Sequence, residues 1–458
     1  MQADAVLIYP VGEEREPEPH RERLFSKPFC NVLVSAVVLC LVYCAFFPGG
    51  GLLDVVITDG PGRDSSDANV GFISQGLTYL SSISIALITP LILSAIGVRA
   101  TLAISAFLYS GLFIGIIFLK NWTIYLGSVV AGFGMGMMWV VAPKIVADCS
   151  TEKNLQRNSS VWWCIYIFSM VIGNTADYFY LGNLTKIGTH TRICIYLVCC
   201  IFVILAVAVA VFGYRDITAL NDIEDDIDEL LCSKSIQSRV AKPESTTVWE
   251  KVKHNFALYK VTLLRKEIGY LLIILFYNSF VLAFYTMTFQ TCIGHVFADR
   301  SLIPLMSLVF GISAVIACPL FEGIAVFLNN RIAVLFLYIL AIISYYLIFL
   351  MFPSAATYGK SDDPTSIEPT QGLILFVAVL LAISDTGFNI QANCLIGLLF
   401  QADSDIGYML LNSVMSVGTA TVFFACSYIS LYALLAWLVI FCTLATISIT
   451  LDVFKLGI

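Results

Sequence analysis

The sequence predicts an all-α membrane protein whose twelve transmembrane helices form two six-helix halves. Its 458 residues are 59% hydrophobic and only 12% charged, and the mean hydropathy is +0.88. A soluble domain has about 25% charged residues, so this chain carries about half the usual charge. Apolar runs long enough to cross a bilayer recur along the chain, and one long polar segment divides them into two groups.

The same composition excludes several other classes of protein. The chain lacks the polar surface that a soluble globule of its size needs, and it is too apolar to be disordered. Its net charge of −7 lies mostly in loops, so we expect no nucleic-acid partner. Most of the 14 cysteines lie in apolar runs, where cysteine behaves as a small apolar side chain, so we expect neither a disulfide nor a metal site.

The spans follow from the length of helix that crosses a bilayer. About 20 residues are needed, and that window gives twelve predicted spans. They are 28–47, 71–92, 100–119, 122–145, 159–181, 192–213, 268–292, 302–325, 332–352, 370–396, 405–429 and 431–453. The short junctions within 92–100 and 326–331 favour antiparallel neighbouring helices.

The spans divide the chain into five predicted segments. Residues 1–27 form an N-terminal tail, 28–213 the first half, 214–267 a linker, 268–453 the second half and 454–458 a C-terminal tail. The N-terminal tail is rich in charged residues, so it is not a cleavable signal peptide.

The distribution of basic residues predicts the orientation. With the N-terminus in the cytosol, 19 of the 25 Lys and Arg residues lie on the cytosolic side, as the positive-inside rule requires. Both termini are therefore predicted to be cytosolic. We expect the protein to lie in the plasma membrane or in an endosomal or lysosomal membrane. On this topology, Asn121 and Asn183 are the sequons that face the exterior and are candidate glycosylation sites.

The linker carries two charge patterns. Its acidic first part contains Asp226, Leu230 and Leu231, which fit an acidic dileucine sorting motif; a solvated amphipathic turn explains the same residues. In its basic second part, aromatic and aliphatic residues recur every three to four positions over 249–263. This pattern predicts a helix that lies on the anionic inner leaflet.

Polar residues inside the spans are the main candidates for a functional site, because a charge at the bilayer centre costs about 3 kcal/mol. Asp385 lies near the middle of span ten, and Asn389 and Asn393 follow at i+4 and i+8, so all three share one helix face. The stripe predicts either a hydrated cavity wall or a packing network without a ligand. Asn278 and Gln290 add polarity to span seven.

Other polar residues lie near the span ends. Asn174 and Asp177 lie near the exterior end of span five, where interfacial water makes a charge less costly.

At the cytosolic ends of the spans, the sequence offers two candidate ion pairs between side chains. Lys144 and Asp148 have the i, i+4 spacing of an ion pair. Glu322 is a candidate partner for Arg331 or Arg99, in a contact that would latch the cytosolic face.

Gly132 and Gly136 form a small-xxx-small pair, which predicts close helix packing. They do not form a phosphate loop, because no strand precedes them and no Lys-Ser or Lys-Thr follows.

Four motifs in order carry a family resemblance. They are Gly132-Phe-Gly134-Met-Gly136-Met-Met-Trp139, Arg157-Asn158-Ser159, Phe289-Gln290-Thr291-Cys292-Ile-Gly294 and Ser384-Asp385-Thr-Gly387-Phe388-Asn389-Ile-Gln391. Together they resemble the uncoordinated-93-like family, a branch that is similar to the major facilitator superfamily with its two six-helix halves and midplane cavity. The chain departs from the family at Ala142-Pro143, where a Gln-Gly pair is common.

The junctions after spans two and eight resemble eroded copies of the superfamily's loop motif. Each ends in an arginine, Arg99 and Arg331. Pro90 replaces the first glycine of the motif, and Ser94 and Phe327 replace its aspartate. The resemblance links that acidic residue to alternating access, so its absence counts against ordinary transport.

The resemblance implies a non-enzymatic regulatory or trafficking subunit of another membrane protein, such as a potassium channel or a receptor. The alternative is a secondary transporter that carries a small solute or ion by alternating access. We expect no enzymatic activity and no cofactor, and we expect the lipid bilayer and another integral membrane protein as partners.

Overall fold

The fold is described by a computed structural model, and all the regular secondary structure among its described residues is helical. The described residues are 27–51, 53–58, 60, 69–151, 154–181, 188–215, 266–297, 301–328, 330–357, 364–400, 404–425 and 429–456.

The described residues of the first half form seven α-helices. They are α1 (Lys27–Gly51), α2 (Leu53–Thr58), α3 (Asn69–Leu108), α4 (Ser110–Phe118), α5 (Asn121–Asp148), α6 (Leu155–Leu181) and α7 (Thr189–Gly213).

The second half begins with a span built from three pieces, α8 (Lys266–Ala283), a π-helical turn (Phe284–Thr288) and α9 (Phe289–Val296). The remaining helices are α10 (Leu302–Leu328), α11 (Asn330–Met351), a 3₁₀ turn (Ser354–Thr357), α12 (Gln371–Leu399), α13 (Ser404–Ala425) and α14 (Leu431–Leu456). π-helical turns occur often at functional sites, and this one lies in the span that contains Asn278 and Gln290.

No loop separates the predicted spans two and three, because α3 covers span two and the start of span three, and α4 completes span three. Gly97, inside α3, has φ +79° and ψ 169°, values that a glycine adopts without strain. A single residue therefore breaks the helix where the sequence predicts a short junction. The similar junction after span eight lies between the end of α10 at Leu328 and the start of α11 at Asn330.

The helices have the lengths and composition of membrane spans. Among the described residues, ten segments are long and apolar enough to cross a bilayer. One of these, Ile73–Phe118, covers the predicted spans two and three, whereas α6 corresponds to the predicted span five and is not among the ten. The all-α membrane fold is confirmed, and the segments are consistent with the twelve predicted spans.

Glycines allow α5 to lie directly against α3. A Cβ atom at Gly132 would collide with the Thr78 carbonyl oxygen and the Ser81 hydroxyl, and one at Gly136 would collide with the Ser82 carbonyl oxygen. The two backbones are thus too close for any side chain between them, as in other small-residue helix contacts.

The two halves meet most extensively along two helix pairs, α6 with α10 and α3 with α13. Ser82 on α3 and Ser416 on α13 form a hydrogen bond between their hydroxyl groups, with 2.7 Å between the oxygens. At the other pair, a Cβ added to Gly311 on α10 would lie 3.1 Å from the Met170 Cβ on α6. Small side chains therefore bring the halves together on both sides of a central space.

Candidate functional site

A cavity of about 560 Å³ lies between the two halves, and side chains from both halves line it. This volume is within the range of small-molecule binding sites. The lining includes Phe47, Asn174 and Gly294, which lie near the ends of α1, α6 and α9. The cavity therefore extends from the middle of the helix bundle to the end that is remote from the start of α1.

The bundle is closed at its other end. Tyr408 on α13 donates a hydrogen bond to the main-chain oxygen of Asn393, with 3.4 Å between the oxygens. A Cβ added to Gly397 on α12 would lie 2.8 Å from Leu155 Cδ2 on α6. The Arg157 guanidinium lies 6.0 Å from the ring centre of Phe29, which places this closed end beside the start of α1.

The second half gives the cavity an amide and carboxylate wall. Asn278 Nδ2 donates to Asn389 Oδ1 at 3.3 Å, and Asn389 Nδ2 donates to Asp385 Oδ1 at 3.0 Å. Asn393 Nδ2 donates to the main-chain oxygen of Asn389 at 2.9 Å. All four residues line the cavity, and each is at most 8% exposed. The predicted stripe on span ten thus meets the predicted polar residue of span seven.

Several polar atoms of this wall lack a partner. Within the described part of the chain, Asn278 Oδ1, Asn393 Oδ1 and Asn412 Nδ2 are buried and form no hydrogen bond. An unsatisfied buried polar group costs roughly 1–3 kcal/mol, so native proteins keep few of them. Because all three residues line the cavity, a bound molecule or water can satisfy these atoms.

Asp385 is the single charged residue among the described residues that line the cavity. Its Oδ1 accepts the hydrogen bond from Asn389.

The first half gives the cavity an aromatic wall. Tyr43, Trp139, Trp163 and Tyr166 all line it. The rings of Tyr43, Trp139 and Trp163 surround that of Tyr166, with centroid distances of 5.0, 5.3 and 5.1 Å. The Tyr43 and Trp139 rings meet the Tyr166 ring at 89° and 86°, the edge-to-face geometry that aromatic pairs favour.

Hydrogen bonds hold this aromatic wall in place. Trp139 Nε1 donates to the Tyr43 hydroxyl at 2.6 Å, and that hydroxyl lies 3.3 Å from the hydroxyl of Tyr109. Trp163 Nε1 is the exception, because it is buried without a partner among the described residues.

Two other predicted site residues also line the cavity. Gln290 Nε2 donates to Ser307 Oγ at 3.2 Å, and Asn174 Nδ2 donates to the Met170 main-chain oxygen at 2.8 Å. Asp177 follows Asn174 on α6, but its side chain lies outside what the structure describes.

The predicted gate residues lie away from the cavity. Lys144 Nζ lies 2.6 Å from Asp148 Oδ2 at the end of α5, at the predicted i, i+4 spacing. Arg99 is exposed just after the break at Gly97, and Arg331 is half-buried at the start of α11. The side chain of Glu322 lies outside the described residues, so its predicted latch stays a prediction.

The remaining candidates concern modification and sorting. Asn121 is exposed at the start of α5. Asn183, Asp226, Leu230 and Leu231 lie outside the described residues.

Sequence reasoning missed part of the site. Asn412 lies inside the predicted span 405–429, so the rule that selected Asn393 could have found it. The aromatic wall gave no such signal, because 13% of the chain is aromatic and such residues occur in most spans.

Comparisons with known proteins agree with the fold. A family profile described as "Ion channel regulatory protein UNC-93" matches residues 62–450. The chain is similar to the "UNC93-like protein MFSD11" of Xenopus laevis, with 26% identity over 436 residues that cover 92% of this chain and 95% of the relative. The protein of the same name from Xenopus tropicalis is 26% identical over 433 residues, with the same shares covered.

The fold is also similar to solved structures of the major facilitator superfamily. The proton:xylose symporter XylE bound to 6-bromo-6-deoxy-D-glucose has a TM-score of 0.67 at 12% identity, covering 94% of this chain and 95% of that one. A partially occluded, inward-open conformation of XylE from E. coli has a TM-score of 0.63 at 13% identity, covering 94% and 98%. At this identity the likeness shows the fold, which confirms the predicted major-facilitator-like architecture.

Proposed function

The chain belongs to the UNC-93 family, and we propose that it binds a small polar solute in its central cavity and carries that solute across the membrane by alternating access. The observation that supports this proposal is that four of the nine buried side-chain polar atoms without partners among the described residues belong to residues that line one cavity between the two halves, namely Asn278, Asn393, Asn412 and Trp163. A packing network with no ligand would satisfy its own donors and acceptors. The proposed function requires no enzymatic chemistry.

The position of the cavity fits one state of an alternating-access cycle. It extends toward one end of the bundle, whereas Leu155 of the first half packs on Gly397 of the second half at the other end. With both termini in the cytosol, as predicted, the closed end is the cytosolic one. Opening it requires that the halves separate there, as in the rocking motion of this fold.

A labelling experiment tests this proposal without knowledge of the solute. A reporter cysteine replaces Leu282, which lines the cavity, in a background where the exposed Cys30 and Cys194 are serine, as are Cys232 and Cys426, which lie outside the described residues. A membrane-impermeant maleimide is added to right-side-out or inside-out vesicles. We expect labelling from both sides, because the cavity opens in turn to each. In a second step, cysteines are added at positions 155 and 397 and joined by a short bifunctional thiol reagent. This cross-link holds the cytosolic end closed, so it should restrict labelling of position 282 to the exterior side.

Two control positions define the sides. A cysteine at the exposed Asn121 should react from the exterior alone, and one at the exposed Arg99 from the cytosolic side alone. Labelling of position 282 from one side only, with or without the cross-link at 155 and 397, would contradict alternating access.

A second candidate function is a regulatory or trafficking subunit of a channel or receptor. The description of the family profile supports it. So does the junction after the second span, where Ser94 stands in place of the acidic residue of the transporter motif and its hydroxyl donates to the main-chain oxygen of Leu91. Cross-linking in native membranes with mass spectrometry tests this candidate. A stoichiometric channel or receptor, together with one-sided labelling of the cavity, would favour the regulator over the transporter.

A further inference from the structure

We infer that the solute is a small organic cation that also carries a hydroxyl or carbonyl oxygen, an inference that rests on the proposed function and names its substrate class. Three features of the cavity lead to it: the charge of its lining, the unpaired polar atoms and the aromatic wall.

The described lining contains one acidic residue and no basic one. Asp385 is the single charged residue among the described lining residues, and it is 5% exposed. An ionised carboxylate in a water-poor interior is costly unless a cation pairs with it. Among the described residues, none forms a salt bridge with Asp385, and the hydrogen bond to its carboxylate comes from the neutral amide of Asn389. A cationic solute would supply the missing charge, whereas an anionic solute would be repelled.

The unpaired polar atoms specify more than charge. Asn278 Oδ1 and Asn393 Oδ1 are free acceptors, and Asn412 Nδ2 and Trp163 Nε1 are free donors. All four residues line the cavity. A solute that leaves any of these atoms buried and unpaired loses affinity, so the best match both donates and accepts hydrogen bonds. A metal ion or a purely aliphatic cation lacks the acceptor that Asn412 and Trp163 need.

The aromatic wall favours an organic cation in particular. A cation over the face of Trp or Tyr is attracted by the ring quadrupole, and cages of such rings bind alkylated ammonium groups. Tyr43, Trp139, Trp163 and Tyr166 bring four such rings to the side of the cavity that the first half supplies. A solute between the two walls would be held by rings on one side and by the carboxylate and amides on the other.

Matched pairs of compounds test the inference. The thermal stability of the full-length purified protein is measured with choline and with its uncharged isostere 3,3-dimethylbutan-1-ol. A second pair is 4-ammoniobutan-1-ol and 1,4-butanediol. We expect at least one cation to raise the unfolding temperature by about 2 °C or more, because a ligand of the native state stabilises it, while its uncharged partner has a smaller effect.

Two variants then locate the charge. Asp385→Asn retains an oxygen that can accept the hydrogen bond from Asn389, so the variant should fold, but its cation affinity should fall by more than roughly tenfold. The matched control is Ser384→Ala, one residue away. Ser384 donates to the Leu337 main-chain oxygen at 3.0 Å and does not line the cavity, so cation affinity should be unchanged.

Three results would overturn the inference. The cations and their uncharged partners could raise the unfolding temperature equally, or neither cation could raise it. The cation could also stabilise Asp385→Asn as much as it stabilises the wild type. These outcomes leave the proposed function standing if the cysteine at position 282 is still labelled from both sides. If labelling is one-sided and a cation still binds through Asp385, the cavity binds a cation but the transport proposal fails.

Discussion

The wall that the first half gives to the cavity is aromatic and internally bonded, whereas the wall from the second half consists of amides and a carboxylate with free polar atoms. In the first wall, the Tyr43 hydroxyl already interacts with Trp139 and Tyr109. In the second, Asn278 and Asn393 use their amide nitrogens within the wall and leave their oxygens free. The first wall is thus held in shape by its own contacts and offers a ligand its rings and the free Trp163 Nε1 donor, whereas the second wall offers a carboxylate and free amide atoms.

This contrast predicts opposite effects of substitutions in the two walls. A change in the first wall or its support should lower stability, because it removes a formed contact. A change that removes a free polar atom from the second wall should keep or raise stability and lower ligand affinity.

The largest loss of stability is expected at the contact of α5 with α3, which supports the first wall. Gly132→Ala places a methyl group against the Thr78 carbonyl oxygen and should push α5, which carries Trp139, away from α3. Overpacking of this kind costs about 1–3 kcal/mol of unfolding free energy. Thermal unfolding of the purified protein measures it.

Gly269→Ala is the matched control, because nothing lies within 4 Å of a Cβ atom there. It should be neutral, or stabilising by up to about 1 kcal/mol through helix propensity. Equal destabilisation by both substitutions would show that close packing of α5 on α3 is not the cause.

An intermediate effect is expected inside the first wall. Trp139→Phe removes the hydrogen bond to the Tyr43 hydroxyl and should cost about 1 kcal/mol of stability. Trp122→Phe is the control, because Trp122 is 64% exposed on the first turn of α5. If Trp139→Phe were as neutral as the control, the first wall would not depend on its internal bonding.

The smallest effect on stability, with the opposite sign, is expected in the second wall. Asn412→Leu removes a buried amide nitrogen that has no partner among the described residues. The unliganded protein should be unchanged or more stable by up to about 1 kcal/mol, whereas the cation that binds the wild type should bind more weakly. Thermal unfolding with and without that cation separates the two effects, and a loss of stability without ligand would contradict a free amide at this position.

Much of the fold could be predicted from the sequence, because bilayer thickness fixes the length of each apolar run. Span five is the instructive case. The sequence predicts it at 159–181 and α6 runs from Leu155 to Leu181, yet it is not among the ten apolar segments, and two of the aromatic wall residues, Trp163 and Tyr166, belong to it. Trp and Tyr carry polar atoms, so a span that supplies them to the cavity is less apolar than an aliphatic one.

The second wall was easier to predict than the first for a physical reason. Asp385, Asn389 and Asn393 stand out in an apolar run and share a face by helical spacing alone. The rings around Tyr166 come from α1, α5 and α6, so their contact depends on tertiary packing that no local pattern contains.

A structure of the full-length protein in lipid nanodiscs, determined with the most stabilising cation at saturating concentration, tests the two-walled site most directly. We predict density for that cation between Asp385 on one side and the rings of Trp139 and Tyr166 on the other, and loss of this density in Asp385→Asn. An empty cavity, or the cation bound outside it, would contradict the account.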